Sequence, residues 1–200
     1  VNDIAKKLTD HKKKRNVYNV SPSISPDGGR IAYLTNNMSY FDIDLIDAVT
    51  GKKIRTLIKG SRSLDFEELK FLQPGISWSP DSKKIVFAAK SGSSDALYLV
   101  DVDTGEKEKI RFDLDGVFSA AWSPSGNQLA YVGYEKGASD IYIYDIESKQ
   151  SVNLTSDVFS DSEPTWSPDG SLIAFVSDRD NNTNLKKTDA DEMLSVDYDL

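Results

Sequence analysis

Short apolar runs recur along the chain, and each is rich in β-branched and aromatic residues. One set lies at 31–34, 85–88, 129–132 and 173–176, with the sequences IAYL, IVFA, LAYV and IAFV. A second set lies at 43–46, 97–100 and 141–144, and an aspartate follows each segment. Short apolar runs without helical spacing are typical of strands that are covered on both faces. The pattern therefore predicts an all-β protein.

A four-residue turn motif precedes each run of the first set. Its copies are SPDG at 25–28, SPDS at 79–82, SPSG at 123–126 and SPDG at 167–170. The leading serines are 54, 44 and 44 residues apart, so the period is 44 once a ten-residue insertion is removed from the first interval. Serine, proline, aspartate and glycine in this order favour a type I turn. A tryptophan precedes three copies, and Ile24 takes its place in the first.

Each repeat predicts four antiparallel strands, since a polar fourth segment follows the second apolar set, as at 52–57, 106–111 and 150–154. Four strands in about 44 residues, with both faces apolar, are typical of a β-propeller blade. We therefore assign structural roles, either packing between blades or forming turns, to the repeat-motif positions Trp78, Pro80, Asp81, Trp122, Pro124, Trp166, Pro168, Asp169, Pro26 and Asp27.

These motifs resemble the TolB-type, WD-like β-propeller repeats of bacterial cell-envelope proteins and of the propellers of prolyl oligopeptidase relatives. The resemblance rests on the Trp-Ser-Pro-Asp-Gly turn, the Ile-Ala-Phe-Val strand and the Asp-x-x-Thr-Gly hairpin, over about residues 20–180. It implies a non-catalytic module that binds protein or peptide in the periplasm or elsewhere outside the cytoplasm. The alternative that it leaves open is the gating propeller of a prolyl oligopeptidase-type serine peptidase.

The repeat also predicts how the chain divides. Residues 1–19 would hold the last strand of a preceding blade and a linker, followed by blades at 20–73, 74–117 and 118–161 and a partial blade at 162–200. The first of these blades carries the insertion at 60–75. Because propellers of the resembling family have six to eight blades, we expect a fragment of a larger ring, with the remaining blades as one partner. The alternative is a closed ring of four blades, in which the N-terminal strand completes the last blade.

Charge and composition exclude some functions. The 200 residues carry 24 basic and 32 acidic side chains, for a net charge of −8. This balance argues against binding to a nucleic-acid backbone, which requires a basic surface. There is no cysteine and no apolar run of the length of a membrane span.

Catalytic motifs are also missing from the sequence. The single histidine, His11, lies in a basic polar stretch, and no Gly-x-Ser-x-Gly motif occurs. We therefore expect no catalytic residue in this segment, and no cofactor other than a possible calcium ion.

The loops opposite the turn motif are the predicted partner-binding surface. Within the insertion, residues 65–72 read as a short helix with Asp65 as its N-cap and Glu68 at its N3 position. The alternative is that this segment only packs on the ring. The candidate partner-binding residues are Arg62, Phe66, Leu69, Tyr40, Phe118, Tyr134 and Phe159.

One segment partly matches a calcium-binding loop. Asp178, Asp180 and Asn182 have the spacing of the first ligands of an EF-hand, which makes them a weak candidate metal site. Thr183 replaces the glycine that the loop requires at its sixth position, and an aspartate replaces the terminal glutamate. The repeat register assigns the segment instead to an ordinary loop after a second strand.

Overall fold

The computed structural model describes residues 6–9, 18–37, 40–60, 68–69, 75–91 and 94–179, with the backbone alone at 37, 40, 68, 69 and 91. The regular elements in this part of the chain are all strands, which confirms the all-β prediction. They are β1 (Asn19–Ile24), β2 (Arg30–Asn37), β3 (Tyr40–Asp47), β4 (Lys53–Ile58), β5 (Glu68–Leu69), β6 (Ser77–Trp78), β7 (Lys84–Ser91), β8 (Ser94–Asp101), β9 (Lys107–Arg111), β10 (Gly116–Trp122), β11 (Gln128–Glu135), β12 (Ala138–Asp145), β13 (Ser151–Asn153), β14 (Asp161–Trp166) and β15 (Ile173–Ser177). Within the described ranges, no helix is long and apolar enough to cross a membrane.

The strands form four antiparallel sheets that follow the order of the chain. β1 to β4 make the first sheet and β10 to β13 the third, each with neighbouring strands paired in sequence. In the second sheet β7, β8 and β9 follow in order, and β5 and β6 both pair with the other side of β7. The fourth sheet contains β14 and β15. Successive meandering sheets of this kind are the blades of a β-propeller, as the repeat predicts.

In three of the four sheets, the pairing of the first strand with the second strand shifts its register at the same repeat position. The shift lies between Val20 and Ser23 in β1, and β10 and β14 have the same irregularity. A residue with positive φ lies inside each shift: Ser21 at 55°, Ser119 at 42° and Glu163 at 53°. In the second sheet the strand is divided here into β5 and β6. The insertion therefore falls where the ladder is already interrupted in the other sheets.

The helix predicted at 65–72 is wrong at residues 68–69. Glu68–Leu69 form β5 and pair with Lys90 and Ala89 of β7. The other residues of the predicted helix lie outside the described ones. The edge of β7 presents backbone N–H and C=O groups that need partners, and β5 supplies them. Sheet pairing therefore overrides the capping pattern of Asp65 and Glu68.

The core consists of side chains buried between neighbouring sheets. Ile85 and Phe87 of β7 face the first sheet, where they pack with Ala32, Leu34 and Leu45, among others. The alternate residues Val86 and Ala88 face the third sheet and pack with Leu129 and Tyr131. Since the side chains of a strand alternate between its two faces, burial on both sides explains why the runs lack any polar alternation.

The tryptophan before the turn motif connects one sheet to the preceding one. The Trp78 indole N–H donates to the Ser23 carbonyl at 3.0 Å, and that of Trp166 donates to the Ala121 carbonyl at 3.2 Å. Both bonds run from the first strand of one sheet to the first strand of the sheet before it. The indole of Trp122 instead donates to Gly126 of its own turn, at 3.0 Å. Ile24, in the first copy, is exposed.

The serine of the turn motif closes the turn. The Ser79 hydroxyl donates to Asp81 Oδ1 at 2.6 Å and accepts from the Lys84 backbone N–H at 2.8 Å. The equivalent serines Ser25 and Ser167 make the same two bonds. The fourth residue has a φ between 60° and 82° in all four copies, which favours glycine. Ser82 occupies this position in the second copy, and its hydroxyl accepts from the Asp27 N–H of the neighbouring sheet at 3.1 Å.

The first described residues and the fourth sheet differ from the three sheets between them. Residues 6–9 form no strand, and they lie against the β3–β4 turn, where a Cβ added to Gly51 would be 2.5 Å from the Leu8 carbonyl oxygen. Their assignment to a preceding blade stays a prediction. In the fourth sheet Val176 is 57% exposed, whereas its repeat equivalent Val132 is 3% exposed. β12 pairs with the strand of Val132, and β14 contacts that strand.

We expect Ser79→Ala to lower the free energy of unfolding by about 1–2 kcal/mol, because it leaves buried polar groups of the turn without their partner. Urea denaturation followed by tryptophan fluorescence measures the change. The exposed Ser160→Ala is the control and is expected to stay within about 0.5 kcal/mol of the wild type. Equal midpoints for the two variants would contradict the structural role of the turn serine.

The turn aspartates also predict a pH dependence. Hydrogen bonds from the Ser167 hydroxyl and from the N–H and hydroxyl of Ser171 lower the pKa of Asp169 to about 2. A carboxyl with a folded-state pKa below its unfolded value of about 3.9 stabilises the fold above that value, and the contribution disappears as the pH falls through the folded pKa. Asp169→Asn should therefore be less stable than the wild type at pH 6, and the difference in urea midpoint should shrink between about pH 4 and pH 2. A difference that stays constant over this range, or an equal effect of the exposed Asp113→Asn, would refute the prediction.

Candidate functional site at the loop face

The antiparallel order of the strands separates two faces. The turn motifs join first to second strands on one face. The opposite face, which we call the loop face, carries the connections from second to third strands and from each fourth strand to the next sheet. On the loop face the described connections include residues 112–115, 136–137 and 154–160.

Carboxylates on the third strands hold these connections. Asp42 Oδ1 accepts from the Gly60 N–H at 2.9 Å, and Asp95 Oδ2 accepts from the Val117 N–H at 3.1 Å. The first bond holds the start of the connection after β4, and the second joins β8 of the second sheet to β10 of the third. Ser139, the repeat equivalent of Asp95, donates to the Asp161 carbonyl at 2.9 Å. These side chains therefore satisfy the backbone of the junctions between sheets.

Three acids and one arginine meet between the third and fourth sheets. We call Asp140, Asp157, Asp161 and Arg179 the junction cluster; one carboxylate oxygen from each of the three acids lies within 4.8 Å of the others. Asp140 and Asp161 are 0% exposed. Asp140 lies in β12, Asp161 is the first residue of β14, and Arg179 follows the end of β15. The chain order thus brings distant segments to one point.

The hydrogen bonds of the cluster are unevenly distributed. Asp140 Oδ2 accepts from the Asn153 amide at 2.8 Å, while its Oδ1 has two long bonds of 3.4 Å, from the Thr155 hydroxyl and from the Asp157 N–H. Arg179 donates to Oδ2 of Asp161 at 3.0 Å and also to Oδ2 of Asp157. The other oxygen of Asp161, Oδ1, is buried and has no hydrogen-bond partner.

Electrostatics in the cluster favour uptake of positive charge. Burial raises the pKa of Asp157, and the neighbouring carboxylates of Asp161 and Asp140 raise it further. The Phe159 N–H, which donates to Asp157 Oδ1 at 2.9 Å, and the Arg179 guanidinium act in the opposite direction. Three carboxylates in partial burial are therefore only partly compensated by one guanidinium.

Aromatic rings hold the guanidinium in place. The Arg179 Cζ lies 5.7 Å from the centroid of Phe159 and 5.5 Å from that of Phe175. Cation–π contacts at this distance stabilise a cation over an aromatic face. Phe159 is 7% exposed and packs under Arg179.

Two of the other predicted partner-binding residues have described side chains. Tyr134 is 39% exposed at the end of β11, and Phe118 of β10 is half-buried. Tyr40 and Leu69 lie in β3 and β5, and their side chains are outside the described part of the structure, as are Arg62 and Phe66. Asp178 is exposed and its Oδ1 accepts from the Ser160 N–H at 2.7 Å, whereas Asp180 and Asn182 are outside the described residues. His11 is also outside them.

The sequence analysis did not single out the junction cluster. With 32 acidic residues, no set of three stands out without a fold. One signal was available for Asp161, which occupies the repeat position of Asn19 and Val117, whereas Asp140 shares its position with Asp42 and Ala96. A charge at a repeat position that is uncharged elsewhere indicates a local role.

Comparison with protein-family models finds a match to the TolB beta-propeller domain over residues 67–194. The chain belongs to the TolB β-propeller domain family. The match covers the second, third and fourth sheets and three of the four copies of the turn motif. A comparison with curated protein sequences finds no match.

Solved structures of the TolB type share the fold. TolB from Acinetobacter baumannii is 25% identical, with a TM-score of 0.68, and the similarity covers 82% of this chain and 39% of that protein. A putative TolB from Agrobacterium tumefaciens is 22% identical, with a TM-score of 0.65, over 77% of this chain and 52% of that one. The β-propeller domain of the Trilobed protease from Pyrococcus furiosus is 17% identical, with a TM-score of 0.56, over 80% and 48%. The chain therefore spans about two fifths to one half of the length of these proteins.

In this TolB-type propeller, Arg179→Gln should lower the free energy of unfolding by about 2 kcal/mol, since it leaves two buried or half-buried carboxylates without their cation. Urea denaturation at neutral pH measures the loss. Lys136→Gln is the control, because the ion pair of Lys136 with Glu135 is exposed to solvent and such pairs contribute at most about 1 kcal/mol. An equal loss in the two variants would show that Arg179 contributes no more than a surface charge.

Proposed function

We propose that this TolB-type propeller segment is a non-catalytic binding module and that its loop face binds a protein or peptide. The proposal includes a location outside the cytoplasm, which its family kinship with TolB supports. The absence of catalytic activity is proposed on the sequence, which has one histidine and no Gly-x-Ser-x-Gly motif. Propellers of peptidases share this fold at 16–17% identity, which bears on the fold alone.

The observation that carries the proposal is the exposed aromatic side chain of Tyr134 on a well-held hairpin. Tyr134 pairs with Ser139 near the β11–β12 turn, and it is 39% exposed. The turn is fixed to the neighbouring connection, because the Lys136 N–H donates to Asp115 Oδ2 at 3.0 Å. A tyrosine held in one position loses little conformational entropy on binding, which is why such residues are frequent interface anchors.

The opposite face is less suited to binding. Its turns direct their carboxylates inward to their own backbone: Asp47, for example, accepts from the N–H groups of Val49 and Thr50 and from the Thr50 hydroxyl. Asp101 and Asp145 make equivalent bonds in their own hairpins. These hydrogen-bonding groups are already occupied, so they contribute less to a partner. Loops that a rigid scaffold holds in place are the usual binding elements.

A peptide-display selection tests this proposal. Peptides selected on the immobilised wild-type chain should bind Tyr134→Ala at least tenfold more weakly, a loss in the range expected for an aromatic anchor. Val49→Ala is the control, because Val49 is 70% exposed and lies on the opposite face. Fluorescence anisotropy with the recovered peptides measures the affinities.

The insertion is a second arm of the same experiment. Alanine replacement of Arg62, Phe66 and Leu69 should also weaken the selected peptides, if the predicted surface extends across the loop face. Peptides that lose affinity for Val49→Ala but not for Tyr134→Ala would assign binding to the face with the turn motifs. Failure to recover any specific peptide would remove the support for a peptide-binding module.

A further inference from the structure

The junction cluster carries a charge imbalance that the fold itself does not require. Between the second and third sheets, Ala96 occupies the position of Asp140 and Val117 that of Asp161, both fully buried, and the acid Asp95 accepts from the Val117 N–H. In the first sheet Asp42 takes the position of Asp140 and accepts from the Gly60 N–H, so an acid there belongs to the repeated pattern. The buried acid Asp161 has no such counterpart, since Asn19 and Val117 take its position in the first and third sheets.

The hydrogen bonds within the cluster leave one buried carboxylate oxygen without a partner. Charged groups are rarely buried without full compensation, because the loss of hydration is costly. Arg179 compensates Oδ2 of Asp157 and of Asp161. Asp161 Oδ1 is nevertheless buried with no hydrogen-bond donor.

The geometry of the oxygen atoms suits a particular ligand. One oxygen from each of the three acids lies within 4.8 Å of the others. Oxygens that share one calcium ion are at most about 4.8 Å apart, since each Ca–O distance is about 2.4 Å, so three oxygens within this limit can contact a single ion. Oxygen-only donors from separate segments are the type of ligand that calcium prefers.

We propose that Asp140, Asp157 and Asp161 form a binding site for a divalent cation of the calcium type, which links the third and fourth sheets. The cation supplies the positive charge that Arg179 alone does not, and it gives Asp161 Oδ1 a partner. Arg179 competes with it for the carboxylates of Asp157 and Asp161. Its three carboxylates are not those of the EF-hand-like pattern, which consists of Asp178, Asp180 and Asn182. It is independent of the proposed peptide binding at Tyr134.

Calorimetric titration of the chelator-treated protein with calcium chloride tests the proposal. We expect one site with a Kd on the order of 10⁻⁴–10⁻³ M, the range of modest oxygen-ligand sites. Calcium at 10 times the Kd should also raise the melting temperature by about 3 °C. Parallel titrations with magnesium chloride, and with potassium chloride at matched ionic strength, separate specific binding from screening of the net charge of −8.

Three variants locate the ion. Asp161→Val copies the residue of the third sheet at this position and should weaken calcium binding at least tenfold while the protein remains folded by circular dichroism. Asp157→Asn, at a half-buried position, provides the same readout if Asp161→Val does not fold. Arg179→Gln should bind calcium more tightly, at least threefold, because the competing guanidinium is gone.

Asp178→Asn is the matched control, since Asp178 is an exposed acid next to Arg179 that lies outside the three-carboxylate set. Its affinity for calcium should stay within twofold of the wild type. Absence of binding heat up to 10 mM calcium would overturn the proposal. So would unchanged binding in Asp161→Val and Asp157→Asn, weaker binding in Arg179→Gln, or loss of binding in Asp178→Asn alone.

Discussion

The rest of the structure depends on burial of both faces of each sheet against its neighbours. In β7, Phe87 packs toward the first sheet and Val86 toward the third, so one strand contributes to two separate parts of the core. Apolar surface removed from water on both sides is the main stabilising term for such a strand. A sheet of this kind has no solvated face, and its stability comes from the adjacent sheets as much as from its own ladder.

This constraint explains where the polar side chains are placed. The chain leaves the ladder at each end of a sheet, and the freed backbone groups need partners close to an apolar interior. On one face the turn serines and aspartates supply them, as Ser79 and Asp81 do. On the other face the third-strand carboxylates Asp42 and Asp95 accept from the connection to the next sheet. Polar residues near the core thus complete the backbone hydrogen bonding.

The junction between the third and fourth sheets does not follow this pattern of polar residues. At the two preceding junctions Asp42 and Asp95 each accept from a backbone N–H, whereas here three carboxylates and Arg179 are brought together. Packing of sheets is satisfied by Ala96 and Val117 at the preceding junction, so the repeated fold tolerates either chemistry. Local function in a propeller can therefore be added at a junction without altering the scaffold.

The repeat, the strand order and the family can be recognised from the sequence alone. The turn motif and the apolar runs are local patterns with a fixed period, and each blade is built mostly from contacts near in sequence, so these features are readable along the chain. The strand at residues 68–69 of the insertion and the meeting of the acidic residues depend instead on the tertiary structure. Glu68 and Leu69 form a strand because the edge of β7 needs partners, which no capping pattern reveals. Asp140, Asp161 and Arg179 come from three different strands or their ends, and they meet only because two sheets pack face to face. Burial and proximity of this kind are properties of the assembled sheets, since the charge of a residue does not show which neighbours it will have.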